Sequence, residues 1–160
     1  MRVPDDPTEV AARLREQHTR FNGALAEAVA DLSEEEAERR PAAGEWSVKE
    51  VLAHLSIAER DMQAYFAQIA LGVAPDGEAN PTVWPERIAA VLAVEPTVQG
   101  LLNRFARDQE ETALLIENLS EETRADRYRY RRIVEMALLY GGHTEEHIAQ
   151  IRATIETVRG

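Results

Sequence analysis

The chain has 160 residues, no cysteine and a formal net charge of −11. That length suits one domain able to bury a core without disulfides, and the missing thiols exclude a cysteine-ligated metal, a disulfide framework and a cysteine nucleophile. The acidic balance argues against nucleic acid or an anionic membrane as partner. No apolar run approaches the ~20 residues of a membrane helix, and the opening Met-Arg-Val-Pro-Asp-Asp-Pro has no signal-peptide core, so a soluble, cytoplasmic protein is expected.

Asp6 or Thr8 is placed to cap a first helix running to about Leu32, with Val10, Leu14, Phe21, Leu25, Ala28 and Leu32 as its buried stripe. Ser33 to Glu45 reads as a connector broken by Pro41 and Gly44. Ser47 and Glu50 have the spacing of a capping box, which starts a second helix. That helix turns Val48, Val51, Leu52, Leu55, Met62, Tyr65, Phe66 and Ile69 inward as far as about Leu71 and Gly72. Gly72 to Asn80 is rich in breakers and opens a long connection; Pro85 then starts a short helix through about Val94. A third long helix extends from about Thr97 to Leu119, and Ser120 to Glu122 opens one short turn. The Arg/Tyr-rich run Arg124 to Arg132 leads into a fourth long helix, from about Arg131 to Val158. Arg127 to Arg131 alternates with strand period but is too short and isolated to make a sheet. The expectation is an all-α four-helix bundle in one domain, residues 1–160.

His143 and His147, four apart in Gly141-Gly142-His143-Thr144-Glu145-Glu146-His147, stack two imidazoles on one helix face, as two ligands of one metal must be. The remaining histidines are His18 and His54. His18 lies on the apolar stripe of the first helix and reads as a core or pocket-edge residue rather than a ligand. His54 falls at the edge of the second helix's apolar face, as His143 and His147 do on the fourth, and edge positions point between neighbouring helices. His54 is about 16 residues from the end of its helix, and His143 and His147 are about 12 and 16 from the start of theirs, so the levels match if helices two and four run antiparallel. With short links elsewhere, helices two and three are then parallel, giving an up-down-down-up bundle with a long crossover. Gly72 to Glu95 supplies enough chain to retrace a helix of roughly 36 Å.

At this point Gly44-Glu45-Trp46-Ser47-Val48-Lys49-Glu50-Val51-Leu52-Ala53-His54-Leu55 resembles the helix-two signature of the DinB-like (DNA-damage-inducible) superfamily. His143-Thr144-Glu145-Glu146-His147-Ile148-Ala149-Gln150-Ile151 resembles its helix-four signature. The resemblance implies an up-down-down-up four-helix bundle, a homodimer, and a divalent metal ion, nickel or zinc, on His54, His143 and His147. It also implies, from some members, reactions of a low-molecular-weight thiol cosubstrate such as mycothiol or bacillithiol: S-transfer to electrophiles, or isomerisation of maleylpyruvate. The family name records gene induction and implies no DNA chemistry.

Three neutral imidazoles leave coordination positions open, the arrangement of catalytic sites. A thiol on such an ion loses its proton near neutral pH, which makes S-transfer coherent, and the same ion would serve hydrolysis by activating water. Tyr140 lies on the ridge of His143 and His147, as a donor to a bound ligand or a core tyrosine with a wet hydroxyl. Gln150 is spaced to orient a histidine or to sit on the surface or at a dimer contact. Glu50 and Asp61 read as solvated helix charge, and the arginines at 124, 127, 129, 131 and 132 as a loop paired with nearby acids rather than a carboxylate clamp.

Two rival readings stand beside the enzyme. His143 to His147 fits H-x-x-E-H, but an inverted zinc peptidase needs a further acidic ligand well downstream, and Glu156 is the one acid after His147. The other rival is a non-enzymatic, homodimeric helical module whose metal site is stabilising or vestigial.

Overall fold

A computed structural model describes residues 4–73 and 84–160, and among these every regular element is helical. The helices are α1 (Pro7–Ala28), α2 (Glu34–Glu38), α3 (Val48–Ala70), α4 (Pro85–Val94), α5 (Val98–Glu117), α6 (Glu121–Ala125), α7 (Arg127–Leu139) and α8 (Gly141–Arg159). Positions 74–83 of the expected crossover, and residues 1–3, lie outside the described residues. No described helix is long and apolar enough to cross a membrane.

The local signals act where they stand. The Asp6 side chain, not Thr8, accepts from the Thr8 N–H at 2.9 Å and caps α1. Ser47 and Glu50 exchange both capping-box bonds at the start of α3, at 3.3 and 2.8 Å. α3 ends in a Schellman turn, in which Gly72 takes a φ of 73° and the Val73 N–H returns to the Gln68 carbonyl at 2.9 Å.

Two segments differ from expectation. α1 ends at Ala28, four residues before Leu32, and the supposed connector contains α2, opened by a second capping box between Ser33 and Glu36. The fourth long helix starts at Arg127 rather than Arg131, because Asp126 accepts from the N–H groups of both Tyr128 and Arg129. It is then interrupted at Tyr140, where the His143 N–H bonds to the Tyr140 carbonyl at 3.1 Å, a tighter i to i−3 turn ahead of α8.

α1 packs against α5, α7 and α8, and α3 against α5, α4, α7 and α8. Two apolar clusters result. One gathers Phe21, Leu25, Val51, Leu52, Leu55, Leu101, Phe105, Ile148 and Ile151; the other gathers Val10, Leu14, Met62, Phe66, Ala113, Ile116 and Ile133. Between the two clusters lie polar residues that are themselves buried, Ser56 and Glu59 on α3 and Asp108, Gln109 and Thr112 on α5, and buried Thr144 on α8 shares a cavity lining with Glu59, Gln109 and Thr112.

Candidate metal centre

The capping box that starts α3 sets its register, and two turns later His54 faces α8 from a position only 3% exposed. On α8 the four-residue spacing stacks His143 and His147, both half-buried. The three Nε2 atoms converge: His54 Nε2 lies 3.3 Å from His143 Nε2, and His147 Nε2 lies 3.2 Å from it. Among the described residues these three form the one group of histidine and acidic side chains with ligand atoms close enough to share an ion, all within 4.8 Å of one another.

The donor set fits a divalent metal. Nitrogens bound at ~2.1 Å to one ion are separated by roughly 3.0 to 3.4 Å between octahedral and tetrahedral angles, and the two short separations fall inside that interval. The His147 Nδ1 is 2.7 Å from Gln150 Oε1, so that nitrogen carries the proton and Nε2 presents its lone pair to the other two rings. His143 is held down to about 4, by burial first and then by His147 and His54, so it is neutral and able to ligate at neutral pH. Its Nδ1 is buried without a hydrogen-bond partner among the described residues.

Two aromatic rings frame the cluster. Tyr140 stacks on His143 at 4.9 Å and 26°, and Trp46 leans on His54 at 4.8 Å and 45°. Trp46 stands in the quoted helix-two motif, yet only proximity in the fold gives it a place beside the histidines. His18 stays out of the cluster and lines a small cavity with Glu59 and Gln109; burial holds it down to about 4. The Tyr140 phenol is pushed up, chiefly by burial.

Glu50 and Asp61 take no part in the cluster. Neither is simply solvated: Glu50 pairs with Arg40 as well as capping α3, and Asp61 holds Arg87 through two bonds of 2.8 Å. Among the arginines at the start of α7, Arg127 pairs with Asp5, Arg129 with Asp126 and Arg131 with Glu135, so these three are engaged by nearby acids as expected. Sequence reasoning passed over the buried carboxyls Glu59 and Asp108. No spacing marks them; each reads as one more charge on an acidic helix until packing buries it.

The DinB superfamily model matches residues 17–151, a span that contains all three clustered histidines. Comparison with curated proteins and with solved structures returned no match.

Proposed function

The chain belongs to the DinB superfamily, and from that premise we propose that it is a divalent-metal-dependent enzyme, with His54, His143 and His147 as ligands and S-transfer from a low-molecular-weight thiol as its reaction. The observation that carries the reading is the convergence of three Nε2 atoms from two helices, with Gln150 fixing the tautomer of one. Such an ion, nickel or zinc, supplies Lewis acidity that lowers the pKa of a thiol or water it holds. The chain's own groups do the rest. Gln150 orients His147, Trp46 and Tyr140 limit the movement of His54 and His143, and the rings on α8 are half-buried rather than sealed in the core.

We read the architecture as an up-down-down-up bundle of α1, α3, α5 and the α7–α8 pair, within one domain. Contacts between helix ends support it. Lys49, at the start of α3, bonds the Pro96 carbonyl just before α5, whereas Arg129, at the start of α7, bonds the Ala70 carbonyl at the end of α3. Tyr130 reaches the Pro4 carbonyl ahead of α1, and Arg159 at the end of α8 pairs with Glu36 beyond the end of α1. A homodimer is part of the same proposal.

Elemental analysis of protein purified without an affinity tag tests the site. Near-stoichiometric metal, lost in both His54→Ala and His147→Ala, supports it. No metal even after reconstitution with nickel or zinc overturns it in favour of the non-enzymatic module.

A further inference from the structure

The belt of buried polar groups between the two apolar clusters has no part in holding an ion. Glu59, 2% exposed, lies within it and accepts a hydrogen bond from the Thr112 hydroxyl. Beside it is a cavity of about 10 Å³, lined by Glu59 from α3, Gln109 and Thr112 from α5, His18 from α1, and Tyr140 and Thr144 around the start of α8. That volume admits one water molecule. Gln109 lines the same cavity, its Oε1 is buried without a hydrogen-bond partner among the described residues, and a buried acceptor of this kind calls for a donor that a water supplies.

The cavity adjoins the histidines. Tyr140 both lines it and stacks on His143, and Thr144 is the residue after His143. The acids whose charge reaches the Tyr140 phenol are Glu59 and Asp61, and Asp61 is already committed to Arg87. Among the described residues Glu59 is therefore the carboxyl that is both close to the site and without a cationic partner.

We propose that Glu59 is the proton acceptor of the histidine site, reached from it through the Tyr140 hydroxyl and one cavity water. This rests on the thiol reading given above. When a thiol S–H bond breaks at the site, sulfur keeps the electron pair as thiolate and the proton converts the Glu59 carboxylate to a neutral carboxyl. Burial pushes that carboxyl up to about 7 and the neighbouring Asp108 adds to the effect, against the Thr112 hydroxyl, so near neutral pH it both takes and releases a proton. The titratable groups facing it are Asp108 from α5, His18 from α1 and Tyr140 from the end of α7. His18, held down to about 4, stays neutral and does not compete.

The test counts protons. Zinc-loaded full-length protein is titrated calorimetrically with 2-mercaptoethanol in two buffers of unlike ionisation enthalpy, at pH 6 and pH 8. At pH 6 Glu59 already holds its proton, so about one proton reaches the buffer per thiol bound; at pH 8 Glu59 takes it and release falls below about one half. Glu59→Gln, which keeps a partner for Thr112, releases about one proton at both values. Release near one from the unaltered protein at both pH values overturns the inference and leaves the thiol reading intact. Absence of thiol binding to loaded protein removes both. Hydroxide formed on the zinc would lower release at pH 8 in parent and variant alike, so the deciding comparison is with Glu59→Gln, or with Glu59→Met should the glutamine variant not fold, and a fall that persists in the variant overturns the inference.

Discussion

A histidine becomes a ligand through what its second ring nitrogen touches as much as through its position. Gln150 accepts from His147 Nδ1, and that bond keeps the lone pair of Nε2 aimed at His143. Gln150→Ala is accordingly expected to weaken zinc binding by roughly 10- to 100-fold with the fold unchanged, as read by competition with a fluorescent chelator and by circular dichroism. Acid should also act on single residues. His18 and His143 both titrate near 4 in the folded chain against 6.5 when free, so the unfolded chain binds more protons between those values. Stability of the metal-free protein should then fall as pH drops from about 6.5 towards 4, and melting temperatures across that range measure it.

At the scale of the element, the break between α7 and α8 concentrates the sequence's two adjacent glycines for unlike reasons. A Cβ on Gly141 would meet the Gln17 amide at 2.1 Å, which the flexible glutamine side chain must withdraw, and the tip of the Phe21 ring at 3.0 Å, which must give by a few tenths of an ångström. A Cβ on Gly142 would meet nothing. Gly141→Ala should cost about 1–3 kcal/mol in urea denaturation, whereas Gly142→Ala should be neutral or stabilise by up to about 1 kcal/mol through helix propensity. A result in the reverse order would mean that the turn, and not the contact with α1, decides the position of His143. The capping box of α3 sits at the other end of the same arrangement, and Ser47→Ala should cost about 1 kcal/mol by the same measurement.

Across the whole molecule, the polar belt divides the core and carries a cost that depends on pH. The Glu59 carboxyl ionises near 4.5 in the unfolded chain and near 7 in the folded one, so its own contribution to stability is lost as pH rises through that window, which offsets part of the opposite effect of His18 and His143 below 6.5. The full difference is about 3 kcal/mol. Replacing Glu59 by glutamine removes the ionisation, so the variant should gain stability relative to the parent as pH is raised from 5 to 8, with no further gain beyond.

Much of this organisation is legible in local chemistry. Asp6, Ser47 and Pro85 announce the starts of α1, α3 and α4, and the apolar spacing of each long helix marks its inner face, because capping and periodicity depend on residues within a few positions of one another. The same local information distinguished His143 and His147 from His18 and placed His54 at a matching level. It failed at Ser33 to Glu38, where a capping box was submerged in an acidic run, and at Tyr140, where an apolar pattern continued through a break in the helix. Sequence by itself thus determined the helical class, the family signatures and the three histidines. Only the tertiary structure decided that Trp46 leans on His54, that Gly141 lies against α1, and that Glu59 and Gln109 share a small cavity beside the cluster. Those facts depend on which faces of separate helices meet, and a side chain's burial, and with it the proton affinity of a carboxyl, is set by neighbours that no spacing along the chain records.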